Sequence, residues 1–347
     1  MNLNNKEIII KSQFLKRKYP KFNFQKKDRK LFMKEIKKRI PNSYIYFLNN
    51  IQITPNGYIR NISYTLIADF LKFTSLSRFK LLKKIYLILV YIKNIFLYKK
   101  VVFKDLKDAV FIHDRHSKNY FHWICDVLPK ICIKKKYISK SDFFLLPNFK
   151  TSFQKQSLKL MGVKNIYQLR NKNSLRVENL KYISELYPSG NPSPDIFIKM
   201  RNTILSNFKF KCKNRKIYIS RKKSRRRRLI DEIDFEKQLS SYGFEIHCME
   251  EYSFEKQVKI CAESKIIAGL SGSGLINFIW MCPGSKIIDI REKNDVTVNP
   301  FFSISQFLNI QYYYYLCDTQ SFLGNTTHSD YKIDIDDFFL KLKKILL

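Results

Sequence analysis

KIIAGLSGSGLINFIWM, residues 265–281, combines three features that indicate how this chain folds. KIIAGL is an aliphatic run with the length and composition of a buried strand. The glycine-containing turn SGSG follows it at once and opens a helix that continues through the apolar LINFIWM, so that the helix spans 271–281. A strand, a glycine turn and a helix in this order are typical of α/β proteins, in which ligands bind at the carboxyl ends of the strands.

The alternation of strands and helices continues on both sides of this stretch. It predicts an α/β fold built on parallel, doubly wound sheets. In the same half of the chain, we expect strands at 216–220, 244–249 and 285–290 and helices at 230–243 and 253–264. In the middle of the chain, we expect strands at 108–114, 141–147 and 165–169 and helices at 119–135 (bent at a proline) and 153–163.

These patterns divide the 347 residues into three regions. Residues 1–105 are basic and irregular in pattern, residues 106–194 form a first α/β domain, and residues 195–347 form a second. The boundary at 194 rests on YPSGNPSP at 187–194, because three prolines and a glycine are typical of a linker.

The composition restricts the class of protein. Apolar residues make up 45% of the chain, which argues against wholesale disorder. The formal net charge of +36 favours an anionic partner, although enrichment in Lys, Ile, Asn, Phe and Tyr, as AT-rich coding produces, explains part of it as solvated surface. The seven cysteines include no Cys-x-x-Cys pair, so we expect neither a disulfide framework nor a zinc site, but mostly buried thiols of a reducing compartment.

Targeting signals are the next feature to consider. The N-terminal residues show no secretory signal, and the most apolar stretch, 85–92, is too short to cross a bilayer, so we expect a cytoplasmic location. Residues 78–100 mix lysines with aliphatic and aromatic side chains. A helix there either lies on an anionic membrane surface or packs into the core with its lysines solvated.

The turn within GLSGSGLIN, residues 269–277, is a candidate anion site. Gly272 and Gly274 let the backbone approach a ligand, at which the first helical amides would then point. The full dinucleotide fingerprint is absent, because Asn277 stands at its last glycine position, and no Walker lysine follows. A glycine-rich turn is often only a tight turn, so the motif alone does not establish a site.

A basic run, YISRKKSRRRRLIDE at 218–232, follows the strand predicted at 216–220. Arg221 is the first residue after that strand, and Arg227 lies near the start of the next helix. Guanidinium groups bind phosphate oxygens bidentately, so both arginines beside the glycine turn would form a diphosphate site without a metal. The alternative is a solvated basic loop.

NYFHWICDVLPK at 119–130 contains a candidate acid–base pair. His122 and Asp126 are four residues apart and so share one face of a helix, where a carboxylate would orient the imidazole to deprotonate a hydroxyl. The alternative is a structural hydrogen bond. Tyr120 and Trp123 either line the face of a sugar or pack in the core.

Two further groupings do not predict metal sites. His113 and His116 have no third ligand nearby in the sequence. The Asp-x-Asp in IDIDD, residues 333–337, is better explained by Asp334 or Asp336 as the N-cap of a C-terminal helix.

In their order along the chain, NYFHWICDVLPK, YISRKKSRRRRLIDE and SFEKQVKICAESKIIAGLSGSGLINFIWMCPGSKIIDI resemble glycosyltransferase family 61, which includes bacterial capsular polysaccharide biosynthesis proteins. The resemblance covers about residues 106–347. It implies a GT-B-like fold with two Rossmann-like domains, here preceded by a basic N-terminal extension. It also implies a nucleotide-sugar donor and inversion at the anomeric carbon, with no cofactor or metal required for the chemistry.

Carried over by position, the resemblance assigns two groups of residues. His122 and Asp126 match the motif Tyr-x-His-Trp-x-x-Asp-x-Leu-Pro, and the resemblance implies a catalytic role for both. Those that match the donor-binding motifs Ser-Arg…Arg and His-Gly-Ala-Gly-Leu-Thr-Asn are Arg221, Arg227, Ser271, Gly272, Ser273, Gly274 and Asn277. Departures from the family pattern include Ser271 in place of His, Ser273 in place of Ala, and Asp231 where the family usually has Asn.

The resemblance implies a hexosyl- or pentosyltransferase that acts on a glycan or lipid-linked oligosaccharide in capsule, O-antigen or related surface polysaccharide synthesis. Its place would be cytoplasmic, peripheral to the inner membrane face, with no nucleic acid as partner. Two other classes stay open. A basic nucleic-acid-binding protein accounts for the charge, although no nucleic-acid-binding motif is present. A membrane-surface scaffold with an inactive transferase fold accounts for Ser271 and Ser273.

Overall fold

The chain forms two compact units. Unit 1 consists of Met1–Gln13 and Ile40–Met200, and unit 2 consists of Phe14–Arg39 and Arg201–Leu347. The structure, a computed structural model, describes residues 5–54, 59, 85, 88–89, 92–93, 103–114, 116–133, 137–146, 151–169, 174–320 and 330–347.

The described residues form strands and helices with the following bounds. The strands are β1 (Lys6–Ile10), β2 (Gln13–Lys16), β3 (Lys37–Ile40), β4 (Ser43–Ile53), β5 (Phe103–Phe111), β6 (Phe143–Leu146), β7 (Ile166–Gln168), β8 (Ser174–Ile183), β9 (Arg215–Ile219), β10 (Phe244–His247), β11 (Ser264–Leu270), β12 (Lys286–Glu292), β13 (Gln311–Gln320) and β14 (Asp330–Lys332). The α-helices are α1 (Arg29–Ile36), α2 (Tyr120–His122), α3 (Phe153–Leu160), α4 (Pro194–Leu205), α5 (Glu232–Ser241), α6 (Phe254–Ala262), α7 (Pro300–Leu308) and α8 (Ile335–Leu346). Other helical segments are the 3-10 segments Lys26–Asp28, Leu128–Cys132, Met249–Glu251 and Ser273–Trp280 and the π-helical Trp123–Val127.

Unit 2 contains a six-stranded sheet in the order β10-β9-β11-β12-β13-β14. The strands from β10 to β13 are parallel, and β14 pairs antiparallel at the edge. From β9 the chain first adds β10 on one side and then β11 on the other. The carboxyl ends of β9 and β11 are therefore the topological switch point, where open α/β sheets bind ligands. Arg221 follows β9 and Ser271 follows β11.

Unit 1 contains a second six-stranded sheet, in the order β1-β4-β8-β5-β6-β7. The four strands from β8 to β7 in this order are parallel, whereas β1 and β4 are antiparallel additions. From β5 the chain adds β6 and β7 on one side and returns to β8 on the other. The switch point of this sheet therefore lies at the carboxyl ends of β5 and β8.

These sheets confirm the predicted α/β class and the parallel strand arrangement. The expectation that residues 1–105 are irregular is wrong for the described part, because β1, β4 and α1 lie there. Antiparallel pairing explains the difference: β4 pairs with β8, which is distant in sequence, so no local alternation of strand and helix marks it. Residues 85, 88–89 and 92–93 are helical, and the rest of the segment 78–100 lies outside the described residues.

Local signals explain where several elements begin and end. The Ser253 side chain accepts a hydrogen bond from the Lys256 amide and so caps the start of α6. The Asp334 side chain accepts the Asp337 amide at 3.0 Å, which confirms the N-cap interpretation of IDIDD. Gly243 follows α5 with a φ of 78°, in the left-handed region that glycine adopts without strain.

Two predicted helices have a different form. Residues 120–132 pass from α to π to 3-10 geometry, and Pro129 lies at the start of the last segment, which matches the predicted bend. Residues 273–280 form a 3-10 segment rather than an α-helix. Within the part of the chain that the structure describes, no helix is both long and apolar enough to span a membrane.

The cysteines differ in part from expectation. Cys125, Cys132, Cys248, Cys261 and Cys317 are buried free thiols, as predicted. Cys212 and Cys282 form a disulfide. The expectation that the cysteines form no disulfide framework is therefore wrong for this pair. Their Cα atoms lie 6.3 Å apart although 70 residues separate them, so the fold of unit 2 brings them together and no spacing motif reveals it.

Candidate active site

A cavity of about 100 Å³ lies at the switch point of unit 2. A cavity of this size fits one part of a ligand, such as a phosphate group. Its lining combines an apolar floor with a guanidinium, a carboxylate and two hydroxyls: Ile219, Ser220, Arg221, Ser224, Met249, Glu250, Leu270, Gly274 and Leu275.

Arg221 organises the basic loop. Its Nε donates to the Arg227 carbonyl at 2.9 Å, and its Nη2 donates to Ser224 Oγ and to the Arg226 carbonyl, both at 3.0 Å. Burial lowers the pKa of Arg221, and the positive charge of Arg227 lowers it further. Most of this guanidinium therefore holds the loop in shape, and a smaller part of it faces the cavity.

Glu232 is a site residue to which sequence reasoning gave no role. Its buried carboxylate accepts hydrogen bonds from the Arg221 amide at 2.9 Å and from Ser220 Oγ at 3.1 Å. Burial raises the pKa of Glu232, and these hydrogen bonds act in the opposite direction. The carboxylate fixes the chain where it leaves β9. Its position in the first turn of α5, next to the basic run, is the signal that could have identified it.

Arg227 links the basic loop to the glycine turn. Its Nη1 donates to the Ser271 carbonyl at 3.3 Å. Its backbone is left-handed, with a φ of 55°, which is uncommon for a side chain of this size. Asp231, where the family usually has Asn, is also left-handed, with a φ of 60°. Asn and Asp adopt this region more readily than most residues, so the backbone accounts for both residue types at this position.

The two glycines of the turn meet different constraints. A Cβ atom on Gly272 would overlap the Arg221 guanidinium, although the backbone is extended with a φ of −175°. A Cβ atom on Gly274 would meet only Ile219 Cγ2, at an ordinary contact distance of 3.4 Å. Gly272 is therefore required by the close approach of Arg221, whereas space alone does not require Gly274.

The remaining residues of the turn face in different directions. Ser271 and Ser273 are partly exposed. The Ser271 hydroxyl lowers the pKa of the buried Asp289, against a larger effect of burial, which raises it. Asn277 is 0% exposed, and its side chain bonds Gln257, the Gly274 carbonyl and Trp280 Nε1 at 3.0 to 3.1 Å. Asn277 thus supports the turn from the interior and does not face the cavity.

Unit 1 places His122 and Asp126 together. His122 Nδ1 lies 2.8 Å from Asp126 Oδ2, and Ser189 Oγ donates to the same carboxylate oxygen at 2.7 Å. His122 and Asp126 follow β5 and Ser189 follows β8, so the group lies at the switch point of this sheet. Ser189 belongs to the segment 187–194 that the composition predicted to be a linker. Much of that segment is buried, and Tyr187 donates to the Cys125 carbonyl at 2.8 Å.

The geometry gives the two members of this pair different positions. The side chain of His122 is 27% exposed and that of Asp126 only 5%. Because Nδ1 faces the carboxylate, Nε2 is the ring nitrogen left for a ligand. Trp123 is fully buried and donates to Ser157 Oγ at 2.8 Å, so it belongs to the core.

His113 has a structural environment. It is buried, its Nδ1 lies 3.0 Å from the Leu145 carbonyl, and burial lowers the pKa of its imidazole to about 3. No group of three His, Cys, Asp or Glu residues among those that the structure describes is arranged to hold a metal ion.

Each unit thus brings together the residues predicted for it. Unit 2 joins the basic loop to the glycine turn, and unit 1 joins the histidine to the aspartate. The folds and sites define an α/β protein with a basic loop against a glycine turn in unit 2 and a histidine–carboxylate pair in unit 1.

The comparison with protein families gives this class a more specific identity. Residues 120–288, which contain all the predicted site residues, match the family model described as Glycosyltransferase 61. This match supports the resemblance to glycosyltransferase family 61 that the sequence motifs indicated. No curated protein matches the chain significantly.

Proposed function

We propose that the protein is an inverting hexosyl- or pentosyltransferase with a GT-B-like fold. It moves a sugar from a nucleotide-sugar donor to a glycan or lipid-linked oligosaccharide. The match of residues 120–288 to family 61 supports the transferase activity. The observation that carries the proposed donor class is the meeting of Arg221, Arg227 and the glycine turn at the switch point of unit 2. Capsule, O-antigen or related surface polysaccharide synthesis on the cytoplasmic side of a membrane is the corresponding setting.

The donor diphosphate binds at the basic loop in this proposal. Arg227 and the backbone amides of the turn contact its oxygens, while Arg221 keeps the loop in place. As the sugar leaves, negative charge accumulates on the departing diphosphate. Fixed positive charge is an effective way to stabilise it, because the groups need no reorganisation during the reaction. No cofactor is required for this step.

His122 acts as the general base. Nε2 takes the proton of the acceptor hydroxyl as that oxygen bonds to the anomeric carbon, and the bond from this carbon to the diphosphate breaks on the opposite face. Asp126 accepts a hydrogen bond from Nδ1–H throughout, and its negative charge stabilises the imidazolium that forms. Attack opposite the leaving group inverts the configuration.

The donor site is tested by calorimetry with a panel of nucleoside diphosphates. Arg227→Ala should weaken binding of the best of them at least tenfold, since a charge-assisted hydrogen bond contributes about 1.5–3 kcal/mol. Arg225→Ala is the matched control, because Arg225 is an exposed arginine of the same loop, and it should stay within about twofold. Equal affinity in all three proteins would show that the donor binds elsewhere.

An inactive scaffold is the second candidate, and the observation that favours it is Ser271 at the family's histidine position. A scaffold would bind the nucleoside diphosphate without turnover of the corresponding nucleotide sugar. Measuring product formation with the donor that the panel identifies separates the two candidates.

A further inference from the structure

The N-terminal part of unit 2, Phe14–Arg39, has a charge distribution that the proposed transferase chemistry does not use. Its only acidic residues are Asp28 and Glu35. Its basic residues are Lys16, Arg17, Lys18, Lys21, Lys26, Lys27, Arg29, Lys30, Lys34, Lys37, Lys38 and Arg39.

Both acidic residues of this segment point into the protein. Glu35 is 1% exposed and accepts Ser303 Oγ at 3.1 Å and the Asn299 amide at 3.4 Å. Asp28 is 8% exposed and accepts the Tyr314 hydroxyl at 2.6 Å. The outer surface of this fully described segment therefore carries cations without exposed carboxylates of its own. Its exposed cations are Lys16, Lys18, Lys21, Lys26, Lys27, Arg29, Lys30, Lys34, Lys37 and Arg39.

Two large apolar side chains lie exposed among these cations. Met33 is 57% exposed and lies on α1 beside Lys34, with Lys30 three residues before it on the same helix. Helix α1 ends at Ile36, and Lys37 follows directly as the first residue of β3. Phe14 is 56% exposed, and Lys37 Nζ lies over its ring, 5.0 Å from the centroid. Because β2 and β3 pair, Phe14 and Lys37 belong to one surface. We call Phe14, Lys30, Met33, Lys34 and Lys37 the cationic–apolar patch.

We propose that the cationic–apolar patch binds an anionic lipid bilayer surface. Each Lys or Arg near such a surface gains about 1 kcal/mol from the anionic headgroups. Exposed apolar side chains between the cations enter the boundary between headgroups and acyl chains, while lysine stems lie along it with their ammonium groups in water. The patch belongs to the same unit as the anion site, so a donor would bind to a membrane-docked unit. The docking itself does not depend on transferase activity.

A nucleic acid is the other polyanion that such charge fits, and the aromatic side chains argue against it. Binding of single strands uses free aromatic faces on which bases stack. Here Lys37 covers the Phe14 ring, Tyr19 stacks on Phe24 at 5.1 Å, and Phe22 stacks on Tyr313 at 5.0 Å. Each of these contacts covers one face of a ring and so reduces the surface on which bases could stack.

Vesicle binding tests the proposal on the full chain. Wild-type protein should sediment with phosphatidylcholine vesicles that contain phosphatidylglycerol, and not with phosphatidylcholine alone. Lys30→Glu/Lys34→Glu should weaken binding at least tenfold, since two attractive charges become repulsive. Lys37→Glu, the patch substitution on β3, should also weaken binding, so a loss of binding does not depend on the state of α1. Wild-type protein that ignores anionic vesicles would overturn the proposal.

Lys259→Glu/Lys265→Glu is the matched control. Both lysines are exposed in unit 2, and the change in net charge is the same. This variant should bind anionic vesicles within about twofold of the wild type. An equal loss in both pairs would mean that overall charge, and not this patch, causes the binding.

Titration with a single-stranded oligonucleotide and an RNA duplex distinguishes the two polyanions. Met33→Ala should weaken vesicle binding several-fold, because it removes an inserted apolar group, and leave oligonucleotide binding unchanged. If Met33→Ala alters neither, while Lys30→Glu/Lys34→Glu weakens oligonucleotide binding more than vesicle binding, the patch is a nucleic-acid site and the proposal is wrong.

Discussion

At the scale of single residues, the His122–Asp126 hydrogen bond of 2.8 Å constrains the chemistry most. Asp126→Asn removes the charge that orients the imidazole and balances its protonated form. We expect the turnover number to fall by roughly 10² to 10⁴, the usual contribution of a general base, with affinity for the nucleoside diphosphate unchanged. Initial rates at saturating donor measure the first quantity and calorimetry the second.

Ser189→Ala is the milder comparison for this pair. It removes the 2.7 Å hydrogen bond to Asp126 but keeps both reacting groups, so it should cost no more than about tenfold in turnover. Wild-type turnover in both Asp126→Asn and His122→Ala would assign the base to another residue.

His113 makes a pH-dependent contribution to the free energy of unfolding. In the folded state its pKa is about 3, below the ordinary value of 6.5. Below pH 6.5 the imidazole is therefore protonated in the unfolded state, while in the folded state it stays neutral down to about pH 3. The stabilisation is present above the unfolded pKa and is lost progressively as the pH falls towards the folded one. Because of this single group, the free energy of unfolding should be about 2 kcal/mol lower at pH 5 than at pH 8.

His113→Gln isolates that contribution, because glutamine does not titrate and its amide can still donate to the Leu145 carbonyl. Chemical denaturation at pH 8 and pH 5 should show a pH dependence smaller by about 2 kcal/mol in the variant. The same dependence in both proteins would contradict the assignment of a buried neutral imidazole.

At the scale of elements, the glycine turn after β11 offers a comparison between neighbouring positions. Gly272→Ala places a Cβ atom against the Arg221 guanidinium and displaces the basic loop, so affinity for the nucleoside diphosphate should fall at least tenfold. Gly274→Ala adds only an ordinary contact with Ile219 and should stay within about threefold. A larger loss for Gly274→Ala, measured by calorimetry, would reverse the roles given to the two glycines.

Helix α1 offers a second comparison of neighbours. Phe32 is 0% exposed, with its ring 5.0 Å from Phe302 and 5.1 Å from Tyr314, whereas Met33 is 57% exposed. Phe32→Ala should lower the free energy of unfolding by about 3–5 kcal/mol, since it leaves a cavity in the core. Met33→Ala should change it by no more than about 0.5 kcal/mol. Similar denaturation midpoints for the two variants would contradict the direction in which α1 faces.

The sequence predicted strands well where the signal is local. β9, β10, β11 and β12 lie within two residues of their predicted bounds, because each is a short apolar run that a glycine, a proline or a helix cap delimits. β4 and β8 were not predicted, since they form by pairing across more than a hundred residues, such as Ile45 with Ile183. The α-helix predicted at 271–281 became a 3-10 segment that contains the fully buried Asn277.

The candidate site residues were likewise predictable only where the signal is local in the sequence. Arg221, Arg227 and the glycine turn were predictable, because the first residues after parallel strands meet at one edge of a sheet. Ser189 and Glu232 were not assigned roles, since each acts through a partner that only the fold supplies. The proline-rich segment 187–194 has the composition of a linker, yet its residue Ser189 donates a hydrogen bond to Asp126.

At the scale of the whole molecule, unit 2 is built from two separated parts of the chain. Phe32, Asp28 and Glu35 of its N-terminal part contact residues between 299 and 314. The buried Phe32 packs against the rings of Phe302, Tyr312 and Tyr314. Glu35 accepts hydrogen bonds from a hydroxyl and an amide in the interior. The domain boundary predicted at 195 stays a prediction, and these contacts supply a direct way to test it.

A fragment of residues 195–347 should therefore fold poorly on its own. Without the N-terminal part, Phe302, Tyr312 and Tyr314 lose the ring of Phe32, and Ser303 loses its buried acceptor. We expect a thermal transition that is broad or absent and no nucleoside diphosphate binding. Fusing residues 14–39 to this fragment through a flexible linker should restore both a cooperative transition and binding, and Phe32→Ala in the fusion should reverse the gain. If residues 195–347 unfold cooperatively and bind as tightly as the full chain, the N-terminal part is not a required component of the unit.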